Sequence, residues 1–113
     1  MVGHAQWKLS RDRKVAEGIL ESPEKTKRRE ELRLAWDLGQ AVHDRRAELG
    51  ISQAELARRA EMTQPQISKL ELGGTVPTLP LLARLARALD ASLQLELVDD
   101  VSNVAFRART TAA

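Results

Sequence analysis

The side chains that most often perform chemistry in proteins are few and scattered in this sequence. The only two histidines, His4 and His43, stand far apart, and there is no cysteine. Asp44 follows His43, but adjacent side chains on a helix point roughly 100° apart, a geometry unsuited to a catalytic dyad. No Ser-His-Asp set, glycine-rich phosphate loop or metal-ligand cluster is present. The sequence therefore predicts a protein that is not an enzyme and has neither a metal nor another cofactor.

A second kind of chemistry lies in the polar side chains of a short segment in the middle of the chain. Ile67 and Leu70 fall on one side of a short predicted helix, which leaves other positions for Gln64, Gln66, Ser68 and Lys69. A glutamine can bond an adenine edge through both N6 and N7, and a lysine can donate to guanine O6 or N7. An isolated surface glutamine is more often a solvated side chain, so the pattern alone leaves both interpretations open.

Start and stop signals predict the helices that must position these side chains. Ser22 before Pro23 predicts the start of a long helix, and Gly50 predicts its end. Ser52 predicts an N-cap, with Glu55 completing a capping box, for a helix that runs to about Ala60. The apolar positions of the long helix, spaced by three and four, are Leu32, Ala35, Trp36, Gly39, Val42 and Leu49.

Two more helices are predicted after this pair of caps. Thr63, with Pro65 in the first turn, predicts the start of one, and the paired glycines at 73 and 74 predict its end. Thr78 predicts the cap of the next, which has leucines at positions 79, 82, 85 and 89. We expect these apolar faces to share one core.

Residues 92–98 alternate apolar and polar side chains, the period of a strand with one buried face. Leu93, Leu95 and Leu97 share that face. No second strand is evident in the sequence, so we expect this strand to pair with the same strand of another copy about a two-fold axis. Residues 99–113 are predicted to form a flexible tail.

Length and composition agree with one small helical domain. The chain has 113 residues, and aromatic side chains supply only 3% of them, which suits helices packed through aliphatic ridges. Formal net charge is +2, so bulk charge favours an anionic partner only mildly. No secretory signal and no apolar run of about 18 residues is present, and the expected compartment is the cytoplasm, with no membrane association.

The stretches LGISQAELA, from Leu49, and TQPQISKLE, from Thr63, resemble the helix-turn-helix of Cro/C1-type (XRE family, phage-repressor-like) regulators. The resemblance covers roughly residues 38–89. It implies an all-α fold: a five-helix DNA-binding domain, here with an N-terminal helical arm and a short C-terminal β-strand. The predicted organisation is an arm at 1–35, the helix-turn-helix domain at 36–91, a dimerisation strand at 92–98 and the tail at 99–113.

In proteins of this family the second helix of the motif lies in the major groove of double-stranded DNA. The resemblance therefore implies base readout by Gln64, Gln66 and Lys69. It implies contacts to phosphates, which orient the protein, from Gln53, Thr63, Ser68, Gly74 and Thr75. Arg46 and Glu71 resemble a structural ion pair of these proteins. The basic clusters Lys25-Lys27-Arg28-Arg29, Arg58-Arg59 and Arg107-Arg109 are candidate phosphate contacts, although a charge run is usually a solvated face.

The arm extends the resemblance to antitoxins of the HigA type, which act in type II toxin–antitoxin systems. This implies a homodimeric repressor that neutralises a RelE/HigB-like mRNA-cleaving toxin and regulates its own promoter. The apolar residues of the arm, the candidate toxin contacts, are Trp7, Leu9, Val15, Ile19 and Leu20. Two alternatives remain open: a stand-alone repressor without a toxin partner, and a protein–protein module that has kept the fold. The arm has its own alternative, packing on its own domain.

Overall fold

A computed structural model describes residues 22–99 and 101–109 of the chain. These residues form four helices and one two-stranded antiparallel sheet: α1 (Pro23–Leu49), α2 (Gln53–Ala60), α3 (Gln64–Glu71), α4 (Leu79–Ala88), β1 (Ala91–Val98) and β2 (Val101–Ala108). The chain divides into two compact units, residues 1–30 and 31–113. Residue 35, the predicted end of the arm, lies within α1, and the predicted domain organisation stays a prediction. None of the described helices combines the length and the apolar character of a membrane span.

The predicted ends of α1 are confirmed. The Ser22 hydroxyl accepts a hydrogen bond from the Lys25 N–H at 3.2 Å, and Pro23 is the first helical residue. At the other end Gly50 has a φ of +66°, a left-handed conformation that glycine adopts at little cost.

The predicted apolar face of α1 is wrong at two positions. Leu32 is 58% exposed and Trp36 is 54% exposed. The buried positions of this helix are Ala35, Leu38, Gly39, Ala41, Val42 and Arg45. Arg45 takes a core-facing position because its guanidinium donates to the carbonyl oxygens of Leu89 and Asp90 just after α4, at 2.9 and 3.1 Å.

Both short helices of the motif begin at the predicted N-cap residues, but the complete capping box is at α3 and not at α2. The Ser52 hydroxyl accepts from the Glu55 N–H at 3.0 Å, whereas the Glu55 carboxylate binds Arg58 and Arg59. The predicted capping box at α2 is therefore only half formed. A complete box caps α3 instead: the Thr63 hydroxyl accepts from the Gln66 N–H, and the Gln66 side-chain oxygen accepts from the Thr63 N–H at 2.9 Å.

All four helices contribute to the core, as the spacing of apolar residues predicted. Its largest fully buried side chains are Leu38, Leu56, Ile67, Leu70, Leu85, Leu89 and Val42. The small residues Ala57 and Ala60 on α2 are also buried, which lets neighbouring helices approach closely. The core orients α3, because Ile67 and Leu70 fix which side of that helix remains outside.

The second strand overturns several predictions about the C-terminal region. β1 pairs with β2 of the same chain, with Leu93 opposite Phe106 and Leu95 opposite Val104. The predictions of a lone strand that needs another copy to pair with it, and of a flexible tail over 101–108, are therefore wrong. β2 has only a weak strand pattern in the sequence, because two of the four side chains on its inner face are small. Val104 and Phe106 share that face with Ser102 and Ala108. Asp99, with a φ of +52°, begins the reversal between the strands.

The hairpin also corrects the predicted fold class. The resemblance implied five helices, whereas the described residues form four, followed by the hairpin. Phe106 and Ala91 belong to the core, and Leu93 and Val104 pack against it. An all-α description is therefore only approximately right, because this sheet completes one side of a mostly helical domain.

Candidate nucleic-acid interface

A tight turn joins α2 to α3 and sets their relative orientation. Glu61 adopts a left-handed conformation with a φ of 56°, and the Met62 N–H donates to the Ala57 carbonyl at 2.9 Å. Leu56 on α2 and Ile67 on α3 are both fully buried in the shared core. The two helices thus form a helix-turn-helix in which α3 presents its opposite side to solvent.

The exposed side of α3 carries the predicted base readers. Gln64, Gln66 and Lys69 are all exposed, and Ser68 is half-buried. Pro65 is exposed among them and offers only an apolar surface. All three predicted base readers are therefore open to solvent on α3, with Gln64 and Gln66, two residues apart, on different sides of its exposed surface. DNA contact by them stays a prediction.

Gln64 is held by a neighbour from α2. Its side-chain nitrogen donates to the Gln53 side-chain oxygen at 2.8 Å. The second amide hydrogen and the side-chain oxygen of Gln64 remain for a partner, which is the donor and acceptor pair that an adenine edge requires. Gln53, which was predicted to contact a phosphate, therefore also orients Gln64, a predicted base reader.

Gln66 has a different local role. Its side-chain oxygen is occupied by the Thr63 N–H in the capping box of α3. The cap uses one of the two lone pairs of this oxygen and ties it to the end of the helix, so a bidentate contact to adenine would have to be shared with the cap. The capping signal is present in the sequence, as a threonine followed three residues later by a glutamine. This second role of Gln66 was therefore predictable from the sequence.

The predicted phosphate-binding loop lies against the end of α3. The Gly74 N–H donates to the Lys69 carbonyl at 2.9 Å, and a Cβ built on Gly74 would lie 2.7 Å from Lys69 Cγ. Gly74 and Thr75 are exposed beside this contact. The loop and the Lys69 side chain therefore form one continuous polar surface.

Arg46 and Glu71, predicted as a structural ion pair, lie in direct contact. Arg46 donates from Nε to one Glu71 oxygen at 2.8 Å and from Nη2 to the other at 2.9 Å. Burial alone would raise the pKa of Glu71, but hydrogen bonds from Arg46, His43 and Gln53, together with the positive charge of Arg46, hold it below its ordinary value. A third Arg46 bond, from Nη1 to the Ile51 carbonyl at 3.0 Å, links α1 to the segment before α2.

A hydrogen-bonded chain that was not predicted from the sequence runs from this ion pair to Gln64, one of the three predicted base readers. The Glu71 oxygen Oε1 accepts from His43 Nδ1 at 3.1 Å and from Gln53 Nε2 at 3.3 Å. Gln53 in turn accepts from Gln64. The one sequence signal for this arrangement is the spacing of three between His43 and Arg46, which places both on the same side of α1.

The basic clusters are distributed over several surfaces. Arg58 and Arg59 both donate hydrogen bonds to the Glu55 carboxylate. These bonds lower the Glu55 pKa to about 2, and the bond from Arg58 has the larger effect. Arg107 donates to Gln94 across the hairpin at 2.7 Å. Exposed basic side chains also occupy α1 at Lys25, Lys27, Arg28 and Arg29, and the chain beyond β2 at Arg109. Their contact with phosphates stays a prediction.

The remaining predicted site residues are only partly described. Leu93 is half-buried against the core, while Leu95 and Leu97 are exposed on the same face of β1. The predicted toxin contacts, Trp7, Leu9, Val15, Ile19 and Leu20, lie outside the described residues. In the described part of the chain, no three acidic or histidine side chains cluster in a way that suits a metal ion.

Comparison with known proteins agrees with this geometry. The Helix-turn-helix family model matches residues 42–95. An uncharacterized HTH-type transcriptional regulator of Methanothermobacter thermautotrophicus is 46% identical over 48 residues, which is 42% of this chain and 70% of that protein. The crystal structure of the clp gene regulator ClgR from C. glutamicum is also similar, with 36% sequence identity and a TM-score of 0.51. That similarity covers 52% of this chain and 76% of ClgR.

Proposed function

Because this chain belongs to the XRE-type helix-turn-helix family of DNA-binding transcriptional regulators, we propose that it is a sequence-specific repressor that inserts α3 into the major groove of its operator. Gln64 and Lys69 read bases there, and Gln66 adds one donor from its side-chain nitrogen. The observation that supports this most strongly is the contact between Gln53 and Gln64. It holds the Gln64 amide in a fixed orientation on an otherwise exposed face.

The residues around α3 provide the proposed backbone contacts. Gln53 is the first residue of α2, and the N–H groups of a helix's first turn suit an anionic phosphate. Ser68 and the Gly74-Thr75 loop flank the base-reading face, as does Thr63, whose hydroxyl already accepts from the Gln66 N–H. Such contacts set the position of α3 in the groove without reading sequence themselves.

A homodimer is part of the proposal. An eight-residue helix reads only a short half-site, and regulators of this kind gain specificity by placing two such helices on a two-fold symmetric operator. The end of the hairpin offers a surface for the second copy, because Leu95, Leu97, Val98 and Val101 are all exposed there. The second copy would contact these exposed side chains and would not pair with β1, whose partner is β2 of the same chain.

Footprinting on the promoter of the protein's own gene tests the proposed repressor. We expect protection of a two-fold symmetric sequence, and affinity for that sequence that exceeds affinity for a shuffled duplex by about a thousandfold or more. Equal affinity for the two duplexes would contradict sequence-specific repression.

An antitoxin role is a second candidate, supported by an exposed apolar surface on α1. Leu32 and Trp36 lie one turn apart on this helix, and more than half of each side chain is exposed. The Trp36 backbone lies close to Gly73, where a Cβ would lie 3.2 Å from the Trp36 Cα, so this tryptophan stands beside the segment that follows α3. An exposed tryptophan is a typical anchor for a protein partner.

Co-expression with the product of a neighbouring gene tests the antitoxin candidate. If that product stops growth on its own, we expect this chain to restore growth and to copurify with it. Trp36→Ser should then weaken the complex while leaving operator affinity unchanged, and Val76→Ser, at another exposed apolar position, serves as the control. A neighbour that neither inhibits growth nor copurifies would favour the stand-alone repressor.

A further inference from the structure

His43 is an exposed member of the hydrogen-bonded chain that leads to Gln64. Its side chain is 51% exposed, whereas that of Glu71, which it contacts, is only 5% exposed. Nδ1 lies 3.1 Å from a Glu71 oxygen, which only accepts hydrogen bonds, and 3.3 Å from Arg46 Nη2, which only donates them. We assign the ring proton to Nδ1 because the contact with Glu71 is the shorter of the two. The other ring nitrogen, Nε2, has no hydrogen-bond partner among the described residues.

The position of His43 relative to Gln53 points to a role. Both side chains bind the same Glu71 oxygen, His43 at 3.1 Å and Gln53 at 3.3 Å, so their polar ends lie side by side. Gln53 begins α2 and is a proposed phosphate contact. The imidazole is therefore a neighbour of Gln53 in this network, and Nδ1, not Nε2, is the ring nitrogen that contacts Glu71.

We propose that His43 is a phosphate ligand of the DNA backbone that acts when its imidazole is protonated. This inference rests on the proposed function. A neutral ring that holds its proton on Nδ1 has a lone pair at Nε2 and cannot donate to a phosphate oxygen. The protonated ring keeps its bond to Glu71 and gains an Nε2–H donor with a positive charge.

The charged groups that face the ring come from two helices. α3 contributes the Glu71 carboxylate, 3.1 Å from Nδ1. α1 contributes Arg46, whose Nη2 lies 3.3 Å from Nδ1 and which is itself paired with Glu71. α2 contributes only the uncharged Gln53. A backbone phosphate would add a negative charge on the open side of the ring and so bind the protonated form more tightly.

The dependence of operator affinity on pH tests the proposal. At constant ionic strength we expect wild-type affinity to fall about two- to fivefold for each half-site between pH 5.5 and pH 8, the effect of losing one exposed ionic contact. The plot of log affinity against log salt concentration should also be steeper at pH 5.5, by about 0.9 for each half-site, since one more phosphate is neutralised.

Two variants at this position separate the charge from the side chain. His43→Gln should bind at pH 5.5 with the affinity and salt dependence that wild type shows at pH 8. His43→Lys, charged throughout, should hold the higher affinity and the steeper salt dependence over the whole range. His4→Gln, which removes the only other histidine, is the matched control and should retain the wild-type pH profile. Thermal melting of each variant shows whether it is folded.

The outcomes distinguish this proposal from the proposed function. Specific operator binding by His43→Gln with a wild-type pH profile and salt dependence would overturn the phosphate-ligand role and leave the repressor function intact. An affinity loss in His43→Gln that is equal at both pH values, with unchanged salt dependence, would also overturn it, because His43 would then only position Glu71. The absence of specific binding by the wild type would instead refute the repressor function.

Discussion

Gly39 of α1 and Leu70 of α3 meet backbone to backbone. A Cβ built on Gly39 would overlap the Leu70 carbonyl oxygen and would lie 2.8 Å from the carbonyl oxygen of Glu71. The absence of a side chain at Gly39 therefore allows α1 to cross the end of α3 directly. Because the helices are this close, Arg46, about two turns further along α1, reaches the Glu71 carboxylate.

Gly39→Ala is expected to destabilise the domain by about 1–3 kcal/mol, because the atoms that the new methyl group meets belong to the backbone and cannot rotate away. Gly50→Ala is the comparison variant: its Cβ would meet no atom within 4 Å, so only the left-handed backbone is strained, at a cost of about 1 kcal/mol. Denaturant unfolding measures both. A stable Gly39→Ala protein would show that α1 and α3 do not approach this closely.

The pH dependence of stability should report the Glu71 network. The folded pKa of Glu71 lies below its ordinary value of 4.5, so its contribution is fully present above that value and is lost as pH falls through the folded pKa. Glu71→Gln should be less stable at pH 7 by about 3 kcal/mol and should lose less of its remaining stability on acidification.

Urea unfolding between pH 7 and pH 2 measures this difference. Glu55→Gln is the control: the Glu55 pKa is also lowered, to about 2, but this side chain is at the surface, where solvent screens its ion pairs. We expect its stability curve to run close to that of wild type. Parallel curves for wild type and Glu71→Gln would show that Glu71 contributes nothing through its charge.

Gln64→Ala should weaken binding to the specific operator by about 1–3 kcal/mol and leave binding to a shuffled duplex nearly unchanged, since a base contact is lost and phosphate contacts remain. Asn103→Ala removes an exposed side-chain amide from β2 of the hairpin, outside the helix-turn-helix, and should not alter either affinity. Titrations of both duplexes at one salt concentration provide the measurement. An equal loss on the two duplexes would remove Gln64 from base readout.

Leu97→Lys should shift the protein toward monomers, because a charge would be placed in the proposed apolar contact at the end of the hairpin, where Leu97 is 60% exposed. Operator affinity should fall with it, since two half-sites would be bound independently. Gln94→Lys introduces the same charge on the other face of β1 and is expected to leave the assembly unchanged. Sedimentation velocity measures the assembly, and a dimer that persists in Leu97→Lys would place the interface elsewhere.

The sequence by itself determined the order and ends of most elements around the site. The caps at Ser22, Ser52, Thr63 and Thr78 depend on residues within one turn, as does the helix end at Gly50, so local sequence suffices to predict them. The inward positions of Ile67 and Leu70 follow from the helical period. That period also sufficed to predict that Gln64 and Lys69 lie outside.

Tertiary structure alone decided the features that join distant parts of the chain. β2 forms because Phe106 and Val104 complete a core whose other walls are helices, although the strand has a weak pattern of its own. Trp36 is exposed because the core lies on another side of α1. Likewise, no local rule links His43 to Gln53: they meet at one Glu71 oxygen because the crossing at Gly39 brings three helices together. Short-range propensities define each helix, whereas the partners of a side chain depend on how those helices pack.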